Sequence, residues 1–360
     1  MKRITQQSIL RMFGRILNPS IPRPLSLPRQ YVMNDVHLVY VLPISGPYFP
    51  LQLTALYLLQ GAFGTIGPNL ILGSSGGAIV GALGLGAGWD AQNIRDSAGR
   101  LSAKELYVKT GPYLPNTVNW LLTGAVMLPS TNVYEVGRRI LKDRLKQQSE
   151  LVVGTYCIQT HTVHLFSGRG PHDSHLPEGT IHTYLDGDWE CMTRALVASA
   201  AVPCIIPPIK VKRNSPLTFQ DGGVYSPSPW SSVWRQVISR PGRLKLVYFV
   251  SSMDVPIPAF NTLEPLVRLV NNASLRELAD IQDSFRMRLN SQGSGSEMRS
   301  FTQIQEAVQA FMTANEALLI IKPFHERRRY NFDLFGFVGK ELLGVVDRFR
   351  DFEFEVIMSR

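Results

Sequence analysis

Cysteine is scarce in this sequence, and long hydrophobic runs are missing. The 360 residues contain only Cys157, Cys191 and Cys204. Their odd number and the lack of a Cys-x-x-Cys spacing argue against a disulfide framework and against a zinc site. No apolar run reaches the roughly 18 residues that a membrane-spanning helix requires. The sequence therefore predicts an intracellular globular protein, either cytoplasmic or peripheral to a membrane.

Acidic residues are missing from the first 34 positions, where six basic residues supply most of the net charge of +9. A nucleic-acid-binding protein carries its basic residues on the folded domain, so we expect no nucleic acid as a partner. Ile9–Leu17 has the spacing of a short amphipathic helix. Such a segment would lie on an anionic membrane surface or direct the chain to an organelle, and a disordered arm is the alternative.

Strand-like and helix-like segments alternate after this extension. A strand at His37–Leu42 precedes a helix at Leu51–Gln60, and a strand at Asn69–Leu72 precedes a helix at Gly76–Leu85. This order is typical of a parallel sheet covered by helices, in which ligands bind at the carboxyl ends of the strands. Downstream, the pattern predicts a mainly helical stretch over Asp90–Gln148, helices over Asp188–Ala201, Leu263–Leu289, Phe301–Ala314 and Val338–Phe349, and strands over Leu151–Ile158, Thr162–Ser167, Leu244–Ser251 and Leu318–Ile321.

The segment Gly73-Ser74-Ser75-Gly76-Gly77 is the strongest catalytic signal in the chain. Its Gly-x-Ser-x-Gly pattern lies between a predicted buried strand and a helix of small residues. A serine on so sharp a turn needs glycine two positions to either side. Ser75 is therefore the candidate nucleophile, with Gly73 and Gly77 as the glycines of the motif.

A serine nucleophile needs a base, because its hydroxyl is unreactive until a neighbour accepts its proton. Asp221 is the candidate, since it follows a short strand and precedes Gly222 and Gly223, which leave its carboxylate in a tight turn. The alternative is an ordinary turn, for which Asp-Gly-Gly is equally suitable.

Three segments together resemble the patatin-like phospholipase family in order and spacing: Gly73–Gly77, Ala198–Pro203 with Pro207-Pro208, and Asp221–Gly223. The resemblance covers roughly Val36–Ile320, with a weaker similarity in Asn331–Phe337. It implies a three-layer α/β/α fold with a mainly parallel central sheet. It also implies a Ser-Asp dyad that hydrolyses lipid acyl esters, with Ser75 as nucleophile and Asp221 as general base, and without a cofactor, a metal or a catalytic histidine.

On this resemblance, we expect a phospholipase A or lysophospholipase that acts on phospholipids or other acyl-ester lipids at a membrane surface. Residues 1–34 would form a basic extension, and residues 35–360 the catalytic domain with its C-terminal helical segment.

The loop after the first strand departs from the family pattern. Members usually carry a glycine run, a basic residue and another glycine there, whereas this chain reads Ile44-Ser45-Gly46-Pro47. Proline has no amide hydrogen to donate. The candidate oxyanion-hole donors are therefore the backbone amides of Ser45, Gly46 and Gly76.

Two other functions remain open. One is a catalytically weak or inactive lipid-binding protein of the same family, which the altered loop would explain. The other is an α/β-hydrolase esterase with a Ser75-Asp221-His325 triad, whose chain order is the required one.

Overall fold

The computed structural model describes residues 36–109, 127–145, 149–170, 182–203, 205–225, 230–251, 264–323, 332, 334 and 336–360. The predictions for residues 1–34 and for His325 lie outside these ranges. The strands are β1 Val36–Leu42, β2 Leu70–Ser74, β3 Tyr107–Lys109, β4 Met127–Pro129, β5 Glu150–Cys157, β6 Thr162–Ser167, β7 His182–Tyr184, β8 Phe219–Asp221, β9 Arg243–Phe249, β10 Glu297–Phe301, β11 Ala317–Pro323 and β12 Phe352–Met358. The helices are α1 Phe49–Phe63, α2 Gly76–Gly86, α3 Ala91–Gly99, α4 Ala103–Leu106, α5 Val133–Leu141, α6 Trp189–Ser199, α7 Gly222–Tyr225, α8 Ser231–Ile238, α9 Glu264–Ser291, α10 Ile304–Thr313 and α11 Gly339–Arg348, besides a 3-10 turn at Gly46–Tyr48.

One large sheet carries the fold. Its strand order is β10-β12-β11-β9-β1-β2-β5-β6-β7, and β8 pairs with β5 off this path. The five neighbouring strands from β11 to β5 are all parallel. The first two strand-helix units of the sequence therefore lie side by side in the middle of the sheet, and the carboxyl ends of β1 and β2 meet at one edge.

Helices cover both faces of this sheet. In β1, Leu38, Tyr40 and Leu42 belong to one hydrophobic core, with residues of α1 and α2. The side chains between them, Val39 and Val41, belong to a second core, with residues of α8 and α9. Burial on both faces explains why the strand is apolar throughout rather than alternating. The three-layer α/β/α fold with a mainly parallel sheet is confirmed.

Three parts of the secondary structure differ from the sequence-based prediction. In the described part of the stretch Asp90–Gln148, residues 90–109 and 127–145, most positions are helical as predicted, but the strands β3 and β4, which pair with each other, are missing from the prediction. The edge strand β10 is missing from the prediction, since its exposed, polar sequence has no hydrophobic alternation. The chain also continues beyond the last predicted helix into β12, which pairs antiparallel with β10 and β11.

In the ranges described above, no helix has both the length and the apolar composition needed to cross a membrane.

Candidate active site

Ser75 occupies the turn between β2 and α2. Its backbone angles are φ 54° and ψ −129°, a conformation that residues other than glycine rarely adopt. A serine held in this way on a strand-to-helix turn is the geometry of a nucleophile elbow. The side chain is nearly enclosed, because Ser75 is 3% exposed.

The glycines around Ser75 allow its turn to pack against the neighbouring elements. A side chain at Gly77 would collide with the carbonyl oxygens of Leu42 and Pro43, at the end of β1. A Cβ atom at Gly73 would lie 2.7 Å from Cα of Ala78 in the following helix. Both positions are therefore closed to larger residues, which gives the Gly-x-Ser-x-Gly spacing its physical reason.

Ser199, at the end of α6, holds the turn in place. Its hydroxyl accepts a hydrogen bond from the Ser75 amide at 2.8 Å and donates one to the Gly154 carbonyl at 2.6 Å. Ser199 is fully buried. The small residues beside it in the Ala-Ser-Ala-Ala segment let the helix end approach the sheet closely enough for these bonds.

The sheet register places Asp221 next to the turn. Ser74, at the end of β2, pairs with Gly154 of β5, and Asp221, at the end of β8, pairs with Thr155. Strand β6 pairs with one edge of β5, so β2 and β8 both pair with the opposite edge. Since β2 runs parallel and β8 antiparallel to β5, the carboxyl ends of β2 and β8 meet. Neighbouring strand positions are about 3.3 Å apart along a strand. The register thus brings Asp221 beside Ser75.

A tight turn fixes the Asp221 carboxylate. The Gly223 amide donates to its Oδ1 atom at 3.0 Å, and the Asp221 amide donates to the Ala201 carbonyl at 3.1 Å. A Cβ atom at Gly223 would lie 2.8 Å from the Ile44 side chain, and one at Gly222 would lie 3.0 Å from the Thr155 backbone. Because both positions are glycine, the fully buried Asp221 can pack against the loop after β1, which contains Ile44.

The loop after β1 lies directly against the start of α2. A side chain at Gly76 would collide with the Ser45 hydroxyl and with Cβ of Phe49, and it would lie 3.5 Å from the Gly46 carbonyl oxygen. The amides of Gly76 and Gly77 belong to the first turn of α2 and lack intrahelical acceptors. The loop and the start of α2 are therefore in contact next to Ser75.

The Ser45 hydroxyl is an unusual group in this region. Ser45 is fully buried, and its Oγ atom has no hydrogen-bond partner among the described residues. A buried hydroxyl without a partner is unfavourable, so it is a group available to a ligand that would bring an acceptor.

A cavity of about 470 Å³ opens next to Ser75. Among the described residues that line it, only Ser75 and Tyr107 carry polar side chains. Burial and the nearby Asp221 carboxylate raise the pKa of the Tyr107 phenol, so this phenol stays protonated at neutral pH. The rest of the lining is glycine or apolar: Gly46, Phe49, Gly76, Ile79, Leu106, Ala200, Val202, Leu334 and Phe337.

Sequence reasoning missed several of these residues. Tyr107 lies in a stretch predicted to be helical, and nothing in the sequence links it to Asp221. Ser199 is part of a quoted motif but received no role, although a serine within an alanine run is a usable signal for a buried hydrogen bond. Leu334 and Phe337 lie in the segment of weaker family similarity. Nowhere among the described residues do three or more metal-ligating side chains cluster.

A comparison with models of protein families identifies the family. A model of the patatin-like phospholipase family matches residues 46–234, which is more than half of the chain and includes both Ser75 and Asp221. A comparison with curated proteins finds no match to the chain.

Proposed function

The chain belongs to the patatin-like phospholipase family, and from this membership we propose that it is a lipid acyl hydrolase with a Ser75-Asp221 dyad. The family suggests lipid acyl hydrolase activity in general. The dyad is our inference, and the observation that supports it best is the end-to-end approach of β2 and β8 on one side of β5.

The reaction proceeds in two stages. In the first, Ser75 Oγ attacks the ester carbonyl carbon while the Asp221 carboxylate accepts the Oγ proton. The tetrahedral intermediate then expels the alcohol, which takes up that proton, and the acyl group remains on Ser75. In the second stage, Asp221 accepts a proton from water as the water attacks the acyl-enzyme, and the fatty acid leaves as Ser75 Oγ regains its proton.

The negative oxygen of the intermediate requires hydrogen-bond donors, and one donor contributes about 2.7–4 kcal/mol. We assign this role to the amides of Ser45, Gly46 and Gly76, near the positive end of the α2 dipole. The unpartnered Ser45 hydroxyl, which packs against Gly76, is a fourth donor. The Ser45 hydroxyl would replace the hydrogen-bond donor that is missing at Pro47, because proline has no amide hydrogen.

Lipid as the substrate class is supported by the apolar lining of the Ser75 cavity. A phospholipid or another acyl-ester lipid would enter from a membrane surface on which the protein is peripheral. We treat residues 35–360 as one catalytic domain, since strands β9, β11, β12 and β10 extend the same sheet beyond the family match.

A catalytically weak or inactive lipid-binding protein is the second candidate, and the observation that favours it is Pro47 in the oxyanion loop. Hydrolysis of phospholipid and of soluble p-nitrophenyl esters by wild type, Ser75→Ala and Ser74→Ala separates the two. Ser74 is the matched control, because it is also buried and adjacent to Ser75. A dyad hydrolase loses at least about 1,000-fold in kcat/KM through Ser75→Ala alone. Equal rates in folded wild type and Ser75→Ala would favour the binding role.

A further inference from the structure

A second cavity adjoins the Ser75 cavity. The two cavities share Ile79, Leu106, Tyr107 and Ala200 as lining residues. The second cavity lies between α2, α5 and α6.

The face of α2 that starts at Ser75 leads into this second cavity. Ile79, Ala82 and Leu83 follow Ser75 by four, seven and eight positions, so they lie on one side of the helix, and all three line the cavity. The Ile79 amide donates to the Ser75 carbonyl at 3.4 Å. The cavity therefore begins one helical turn from the nucleophile, and the small side chain of Ala82 leaves space at its middle.

The part of the cavity wall that the structure describes is almost entirely apolar. Thr193 and Tyr107 are the only residues in this part of the lining with polar side chains. The Thr193 hydroxyl already donates to the Trp189 carbonyl at 2.7 Å, and Tyr107 lies at the junction with the Ser75 cavity. A ligand that fits beyond the junction is therefore an apolar chain whose polar end stays next to Ser75.

The far end of the cavity is closed. A Cβ atom at Gly86 would lie 2.6 Å from Cγ2 of Ile140, so α2 and α5 are in contact beyond Leu83. From Ser75 to Leu83 the helix rises about 12 Å, at 1.5 Å per residue. Carbon–carbon bonds of about 1.5 Å advance an extended chain by roughly 1.25 Å per carbon. The available length therefore corresponds to about ten carbons.

We propose that the second cavity is an acyl pocket that selects an unbranched fatty acyl chain of about ten carbons, attached through its carbonyl group at Ser75. The proposal rests on the proposed function, because the acyl group must reach Ser75 as an ester. Each methylene that enters such a pocket is worth about 0.8 kcal/mol, which is a factor of about four in kcat/KM.

The test measures kcat/KM for p-nitrophenyl esters from acetate to palmitate. In wild type, kcat/KM is expected to rise by up to about 15-fold with each added pair of carbons as far as decanoate, and to stay level for longer chains. Ala82→Leu fills the middle of the pocket, so it should lower the decanoate-to-acetate ratio at least 10-fold and leave acetate nearly unchanged. Ile140→Ala opens the far end and should move the optimum to longer chains, whereas the adjacent exposed Arg139→Ala should not.

Ser75-dependent hydrolysis without chain-length preference would overturn the pocket and leave the hydrolase intact. A chain-length preference that neither Ala82→Leu nor Ile140→Ala changes would also overturn the acyl pocket. If Ala82→Leu does not fold, the chain-length preference of Ile140→Ala decides the question. If no ester is hydrolysed, the proposed function fails, and decanoate binding by Ser75→Ala protein still tests the pocket. Thermal stabilisation by decanoate that Ala82→Leu removes would support it, and no stabilisation would overturn it.

Discussion

Ser199 and Ser75 are 124 positions apart in the chain and are joined by a 2.8 Å hydrogen bond from the Ser75 amide to the Ser199 hydroxyl. The same hydroxyl donates to the Gly154 carbonyl of β5. One side chain thus connects the strained turn to the strand that pairs with both β2 and β8. Ser199 is a positioning residue for the turn, since it lies outside the lining of the Ser75 cavity.

Ser199→Ala tests this positioning role. The change leaves the Ser75 amide and the Gly154 carbonyl without the hydroxyl, so we expect unfolding free energy to fall by about 1–3 kcal/mol. We also expect kcat to fall roughly 10- to 100-fold, because small displacements of reacting groups are costly. The control is Ser239→Ala, which removes an exposed hydroxyl that donates to the Arg235 carbonyl in the preceding helix α8. A stability loss with unchanged kcat would limit Ser199 to a structural role.

Ser45→Ala tests the fourth oxyanion donor. The Oγ atoms of Ser45 and Ser74 both lack hydrogen-bond partners among the residues that the structure describes. Replacing either with alanine removes no hydrogen bond, so thermal stability should change little. Only Ser45 packs against Gly76, and we expect kcat/KM to fall by up to about 100-fold in Ser45→Ala and by less than twofold in Ser74→Ala. Equal effects in the two variants would contradict the assignment.

His325→Ala distinguishes a dyad from a Ser-Asp-His triad. A dyad enzyme keeps most of its kcat after the change, because its base is Asp221. A triad enzyme loses several orders of magnitude. Ester hydrolysis at neutral pH decides between the two, with His164→Ala as a control for general effects of removing a histidine.

Deletion of residues 1–34 tests the basic extension. Each basic residue near an anionic membrane contributes about 1 kcal/mol of attraction, so the deletion should weaken binding to phosphatidylserine vesicles. Binding to neutral phosphatidylcholine vesicles and hydrolysis of a soluble ester should remain. Unchanged binding to the anionic vesicles in a co-sedimentation assay would exclude a membrane role for this segment.

The features that the sequence predicts correctly are those encoded by residues close together in the chain. The strand-turn-helix unit around Ser75 is encoded within 17 consecutive residues, and it corresponds to β2 and α2, Leu70–Gly86. Ser199 acts across 124 positions, and Tyr107 reaches the site from a stretch whose strand pairing has no local signal. Strand β10 is polar and exposed, so hydrophobic periodicity could not reveal it. Long-range contacts and edge strands are what one sequence leaves undetermined.

Covalent labelling with a fluorophosphonate, followed by intact-mass measurement and peptide mapping, tests directly whether Ser75 is the nucleophile. We predict one adduct on Ser75 in wild type and in Ser74→Ala, and none in Ser75→Ala. Labelling of folded Asp221→Asn should be at least 100-fold slower, because the base that accepts the Oγ proton is lost. Well-folded wild type that remains unlabelled, or that is labelled at another serine, would contradict the assignment of Ser75 as the nucleophile.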